Sequence, residues 1–531
     1  MTTSQAGYPT ATMGQFRSRA YIAIEDIRLQ GALEGATGKF ASGRVSVLAE
    51  LPEADALRDH FKSLRSATLA RLAEHLEEFE RQAQANGSTV HWARDGAEAS
   101  QIVVEIAQAQ GATLATKTKS MATEEIGLNR ALSAAGIEPV ETDLGEWILQ
   151  LAEERPYHII GPAIHKTRGQ VAELFSQETG QALPPDDIPR LTATARRLLR
   201  EKFLASGVGI SGANIGVAES GSIVLVTNEG NAEMITSLPK VHVVVMGIEK
   251  IAPTWDDAAP WLALLARSAT GQALSIYTTF ITGPARPDDV DGPEEVHIVL
   301  VDNQRSTLVG TAYEEVLQCI RCGACLNVCP VYREAGGHAY GSPYSGPIGA
   351  VISPLLFGRQ EYSALPQASS LCGACLDVCP ARIDLPRLLL ELRADQARTH
   401  QAPLALRLIE GAAASILGHQ RLWRWSTTAA RLFQRPLVRD GQLNLPARLN
   451  PLGQRRPPAL AKKSFRAMWN DGEVDDQPPP PQPQPPEQNL PNPQTPNPPQ
   501  PPPPHAPTQG QGRKNKRPRP PPWRRGGGGG G

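Results

Sequence analysis

The chain has 531 residues, enough for two or three domains. It carries 53 Lys and Arg against 54 Asp and Glu, a formal net charge of −1. That balance gives no reason to expect nucleic acid or an anionic membrane as the main partner. The opening stretch "MTTSQAGYPTATMGQFRSRA" has no apolar h-region, so a secretory signal is not expected. No run of eighteen apolar residues occurs, so no spanning helix is expected either.

Residues 1–50 are polar and Gly/Ala-rich, an N-terminal segment of weak helical character. From Leu51 the apolar positions fall three and four apart up to Asn86-Gly87, which predicts one long amphipathic helix with a C-cap. Short apolar runs then alternate with helical patterns. "STVHWA" and "ATLATKTK" read as strands on either side of the helical "GAEASQIVVEIAQAQG". "SIVLVT", "VHVVVMGI", "SIYTTFITG" and "VHIVLVD" continue the series. This alternation predicts an α/β domain over 51–302 around a mostly parallel sheet. A cysteine region follows over 303–395, then a helical region over 396–475 beginning near Pro403. Within it "RLWRW" (Arg421 to Trp425) suits a membrane interface. It suits equally a packed helix or subunit contact with Trp buried, and packing is the preferred reading. Residues 476–531 are Pro-rich, with a basic run from Arg513 to Arg525, and read as a disordered, solvated tail.

All seven cysteines lie in two short runs. The first reads Cys319-x2-Cys322-x2-Cys325-x3-Cys329-Pro330. The second keeps the frame but starts with serine: Ser369-x2-Cys372-x2-Cys375-x3-Cys379-Pro380. An odd count in C-x-x-C units argues against a secreted disulfide framework and for metal ligation in a reducing compartment, the cytoplasm. The spacing is that of bacterial iron–sulfur runs, in which the fourth cysteine of each run serves the other cluster. Structural zinc explains neither the third x2-spaced cysteine nor the repeated Cys-Pro. The expected ligands are Cys319, Cys322, Cys325 and Cys379 for cluster one, and Cys329, Cys372 and Cys375 for cluster two. Ser369 is the candidate eighth ligand; water, a small ligand or a histidine such as His338 are the alternatives. The second cluster is thus a [4Fe–4S] centre with an unusual or open iron, or a [3Fe–4S] centre. Two cubanes sharing ligands in this way make a relay for electrons.

"GVGISG" fits G-x-G-x-x-G at Gly207, Gly209 and Gly212. A helical stretch precedes it and a strand-like stretch follows, the reverse of a dinucleotide-binding turn, so NAD binding is rejected.

"KTKSMATEEIGLN", "ETDLGEWILQLAEERPYHIIGPAIHK", "GANIGVAESGSIVLVTNEGN" and "CIRCGACLNVCPVYREAGGHAYGSPYSGPIGAV" together resemble the lactate utilization protein B family. The likeness covers about residues 20 to 470, includes the serine of "SSLCGAC" and leaves out the Pro-rich tail. It implies a LUD domain, similar in fold to the ribose-phosphate isomerase and CoA-transferase group, then two ferredoxin-like motifs and a helical C-terminal region. It implies a part in oxidising L-lactate to pyruvate beside two other subunits, a Cys-rich iron–sulfur protein and a second LUD protein. The loop "VTNEGN" puts Glu229, flanked by Asn228, Gly230 and Asn231, where that group often carries a catalytic glutamate; an ordinary strand-end turn explains the same residues. Lys117, Lys119 and His165 could bind a carboxylate, although solvated or structurally paired roles are the expected ones. No flavin motif is visible. The main expectation is an electron-transfer subunit, the alternative an enzyme whose LUD domain acts on the hydroxy acid itself. The electron acceptor has no signature in the chain.

Overall fold

The computed structural model describes residues 8–399, 404–444 and 456–473. Contacts divide the chain into one unit up to Gly411 and a second from Ala412.

The first unit starts with helices Met13–Glu25 and Ile27–Ala49, where the Asp26 side chain caps the second by accepting from the Arg28 and Leu29 amides. The single long helix expected from Leu51 is two, Ala54–Ala70 and Leu72–Ala85. The break falls at Arg71, whose φ of −124° is not helical. It lets Phe61 and Leu69 on one side, and Leu72, Leu76 and Phe79 on the other, join the same core. The expected stop at Asn86-Gly87 holds, with Gly87 at φ +90°.

Ten strands follow: β1 Thr89–Ala93, β2 Leu114–Lys117, β3 Glu138–Glu141, β4 Val208–Ser211, β5 Ile215–Val217, β6 Ser222–Thr227, β7 Val241–Gly247, β8 Ile251–Ala252, β9 Tyr277–Ile281 and β10 Glu295–Val301. Six form a wholly parallel sheet in the order β1-β10-β7-β4-β2-β3. The fully buried run of β7, "VHVVVMG", shows why: Val243 and Val245 pack in one core and Val244 and Met246 in another, so no polar alternation is needed. A second sheet, β8-β5-β6-β9, is largely antiparallel and was not anticipated as a separate layer. Helix Ile188–Ala205 runs into β4, so "GVGISG" is the strand and its flanks, as the reversed context required. Its glycines serve close packing. A Cβ on Gly209 would lie 2.2 Å from the Ile235 carbonyl oxygen, and one on Gly212 2.5 Å from Ser120 Oγ.

The cysteine region is built from short turns: helices Ala324–Asn327 and Ala374–Asp377 within the two motifs, then Gly346–Phe357 and Leu385–Arg398 packed against them. Its core is continuous with that of the first helices and the second sheet.

In the second unit, helix Gln420–Gln434 has no buried residue; Trp425 is 80 % exposed and Trp423 48 % exposed. Among the described residues nothing buries the Trp side chains of "RLWRW", so the preferred packing is not met there. Strands Val438–Arg439 and Gln442–Leu443 form a small hairpin, and a short helix spans Phe465–Asn470. The expected Pro-rich tail lies outside the described residues. No helix among the described residues is long and apolar enough to cross a membrane.

Candidate metal centres and the adjoining cleft

The two cysteine motifs are conformational copies. Arg321 and Leu371, each two residues after the first motif position, share a left-handed backbone with φ of +59° and +54°. Gly323 and Gly373 follow at φ +73° and +86°. The Arg321 amide donates to Cys319 Sγ at 3.4 Å, and the Leu371 amide donates to Ser369 Oγ at 3.1 Å. Ser369 thus occupies the place of a cysteine in the turn. Pro330 starts the helix that leads away from Cys329.

The thiols fall into two sets that cross the motifs. Cys319, Cys322, Cys325 and Cys379 line one small cavity. Burial pushes the Cys322 thiol up to about 12, and nearby Cys379 and Cys319 add to the rise. Burial pushes Cys379 up to about 11, with Cys319 adding. In the other set, burial lifts Cys375 to about 12, with Cys329 and Cys372 adding, and burial raises Cys329 with Cys372 adding. Cys372 differs: it is exposed, and the Ala374 amide and the Ser370 hydroxyl stabilise its thiolate. Cys325 feels Cys375, so the sets are neighbours. Thiols held this high stay protonated until a metal displaces the proton.

A structural zinc takes its thiolates in one tetrahedron, whereas a cubane gives each thiolate its own iron. Among the described residues, the side chains of Glu124, Glu141 and Glu146 also come within 4.8 Å of one another.

The carboxyl ends of the parallel strands open onto a cleft of about 370 Å³. That is where open α/β sheets bind ligands. Lys119 and Ser120 follow β2, Asp143 follows β3, Gly212 follows β4, and Glu249 and Lys250 follow β7. Asn228, Glu229 and Asn231 come from the turn after β6, and Ile320 and Arg321 come from the first cysteine loop. The cleft wall is therefore also the wall of the first thiol set. Lys250 Nζ donates to the Cys319 carbonyl at 3.1 Å, and burial lowers Lys250 to about 7.

A buried ion network ties the sheet to that loop. Arg305 donates to Glu125 through both terminal nitrogens at 2.7 Å and to Glu249 through Nε at 2.6 Å. Tyr344 donates to Glu125 at 2.6 Å, and Arg321 Nη2 lies 3.4 Å from Glu249. The cations hold Glu249 down to about 2 against its burial. Sequence reasoning missed this network, because its members are up to 219 residues apart and each looks like an ordinary surface charge.

The other anticipated residues separate. Glu229 lines the cleft; burial, with Asp143 adding, raises it to about 7, while its Oε2 accepts from the Leu144 amide at 3.1 Å. Lys119 lines the cleft and donates to the Ile159 carbonyl. Lys117 does not reach it. Fully buried, Lys117 pairs with Glu141 at 2.5 Å and Glu124 at 3.8 Å, the structural pairing that was expected. His165 donates to Glu154 at 2.7 Å and stacks on Tyr157, away from the cleft. His338 packs on the same tyrosine and donates from Nε2 to the Arg155 carbonyl.

A parallel-sheet domain followed by a double thiol set defines a LUD-domain iron–sulfur protein. Residues 76–301 match the LUD domain family, and residues 315–383 match the 4Fe-4S dicluster domain family. The chain is 42 % identical over 459 residues to "Lactate utilization protein B" of Oceanobacillus iheyensis, covering 86 % of this chain and 96 % of that one. With the protein of the same name from Macrococcus caseolyticus it shares 44 % over 425 residues, 79 % and 88 % of the two chains. A protein of Escherichia coli described as an uncharacterized electron transport protein, YkgF, is 44 % identical over 378 residues, 71 % and 79 % of the two chains. The chain belongs to the lactate utilization protein B family.

Proposed function

We propose that this chain is the iron–sulfur electron-transfer subunit of a system that oxidises L-lactate to pyruvate. The observation that carries the reading is the gathering of thiols from two separate motifs around one cavity. Cys319, Cys322, Cys325 and Cys379 hold the first cubane. Cys329, Cys372 and Cys375 hold the second, and Ser369, set in its turn as Cys319 is in the other, is the candidate for the remaining iron. Each cluster, when bound, takes up and gives up single electrons. The chain's own residues set the direction. The first set lies behind the cleft wall, with Cys322 and Cys379 buried and Cys319 and Cys325 half-buried, whereas the second reaches the surface at Cys372. Electrons enter on the cleft side and leave on the Cys372 side. That exposed side is where a partner subunit, the Cys-rich iron–sulfur protein or the second LUD protein, would meet the chain.

The division proposed for the chain remains 1–50, 51–302, 303–395, 396–475 and 476–531, and its compartment the cytoplasm, where thiols stay reduced. Anaerobically purified protein should hold about seven or eight iron atoms per chain. Stoichiometric zinc without iron would overturn the reading.

A second reading is favoured by the cleft itself: the LUD domain handles the hydroxy acid directly, against the first cluster's wall. Dye reduction by L-lactate with the purified chain alone supports it, and a requirement for the partner subunits supports the relay alone.

A further inference from the structure

The near-neutral charge of the chain is the sum of two unlike parts. From Ala412 on, the sequence has 18 Lys and Arg against 6 Asp and Glu. That leaves 35 against 48 for residues 1–411, out of the 53 and 54 of the whole chain. Between Glu410 and Asp440 the sequence has no acidic residue, but it has five arginines: Arg421, Arg424, Arg431, Arg435 and Arg439. Helix Gln420–Gln434 lies within that stretch.

The helix has two faces, and the apolar one is turned outward. Leu422, Trp425, Ala429, Leu432 and Phe433 recur at helical spacing and form one stripe. Gln420, Arg424, Thr427 and Arg431 fall on the opposite side. The second unit's own chain is bonded to that polar side. Arg431 Nε donates to the Ala461 carbonyl at 3.0 Å. Gln434 Nε2 donates to the Leu460 carbonyl and its Oε1 accepts from the Leu460 amide, each at 2.8 Å. Leu422, Trp425, Leu432 and Phe433 are meanwhile between 49 % and 80 % exposed. A helix packed on a globular core does the reverse and buries its apolar stripe.

We infer that this helix lies in the surface of an anionic lipid bilayer, with the stripe at the acyl boundary and the arginines at headgroup level. Leu, Trp and Phe on one face and Arg on the other is the composition of an interfacial helix. An apolar groove on a partner protein would be filled by the stripe alone, and gives no reason for five arginines without one acidic residue. Lipid phosphates supply that reason. At 15 residues the helix is shorter than the roughly 20 needed to span a bilayer, so it lies in the plane. Residues 1–411, with their acidic excess, are repelled by the same surface, which leaves the second unit as the point of attachment. No part of this rests on the cluster assignment.

The test is anaerobic co-flotation of the full, cluster-loaded chain with vesicles of phosphatidylcholine, alone or with about 30 % phosphatidylglycerol. The anionic vesicles should bind at least ten-fold more tightly, and raising salt from about 0.1 M to about 0.5 M should remove most of that gain. Trp425→Ala combined with Phe433→Ala should weaken binding to anionic vesicles at least ten-fold. Both side chains are exposed, so iron content should stay at the wild-type value. Trp423→Ala, outside the stripe, should change binding less than about two-fold. Arg421→Gln combined with Arg424→Gln should weaken binding to anionic vesicles about ten-fold and leave binding to phosphatidylcholine alone unchanged. Equal binding to the two vesicles overturns the inference. So does binding that survives the loss of Trp425 and Phe433, which would assign it to the basic run Arg513 to Arg525. Iron-loaded protein that fails to float with anionic vesicles overturns it too, and gives the stripe to a protein partner.

Discussion

Glu249→Gln removes the anion that joins Arg305 to Arg321 and so joins the sheet to the first cysteine loop. In an unfolded chain this carboxyl titrates near 4.3, and in the fold near 2. That difference is worth about 3 kcal/mol of stability at neutral pH. Breaking one partner of a buried pair costs a similar amount, about 3–5 kcal/mol. Because Arg305 keeps Glu125, the lower figure applies. The sign follows from the lowered carboxyl. Its contribution is fully present above about pH 4.3 and is lost as pH falls towards 2. Anaerobic urea unfolding followed by tryptophan fluorescence should give a loss of about 3 kcal/mol for Glu249→Gln at pH 7, and wild type and variant should converge as pH falls through that window. A loss under about 1 kcal/mol at pH 7, or a gap that persists at pH 2, would refute the network's role.

Glu229 carries the opposite sign. Raised to about 7, it costs stability once ionised, so wild type should weaken as pH rises from about 4.3 through 7. Glu229→Gln should be about 2 kcal/mol more stable than wild type at pH 8, roughly half the full linkage value because the side chain keeps some solvent contact. Denaturant midpoints at pH 5 and pH 8 check this, and equal pH slopes would contradict it. Gly209→Ala should destabilise by about 2–3 kcal/mol in the same assay, because its Cβ meets the Ile235 carbonyl, a backbone atom that cannot swing aside. Ser369→Cys should slow iron loss from the second cluster in air, since a thiolate in the position matching Cys319 is a better iron ligand than a hydroxyl; iron release followed by absorbance tests it, and an unchanged rate would remove Ser369 from the ligand set.

The parallel sheet was legible because strands such as β7 and β10 are buried on both faces and read as continuous apolar runs. The metal centres were legible because thiolate spacing within a tight loop is local. Other features depend on residues distant in sequence. The break at Arg71 follows from two helical faces meeting one core, not from a breaker residue. The second sheet uses strands as short as Ile251–Ala252, too brief for any periodicity. Arg321 carried no signal in "CIRCGAC", and only its place between the first cysteine loop and the strand ends of β7 gives it meaning. Glu229 was legible as a position; the neighbouring Asp143 that raises it was not.

The central claim is that the two clusters exchange ligands between motifs, with the one on the Cys319 loop backing the cleft. The most direct measurement is the EPR of Cys379→Ala and Cys329→Ala, each reduced under anaerobic conditions. Cys379→Ala should abolish or alter the signal of the cluster served by Cys319, Cys322 and Cys325, and Cys329→Ala should alter that of the cluster at Cys372 and Cys375. If each variant instead loses the cluster of its own motif, the crossed assignment, and the route from cleft to surface built on it, is wrong.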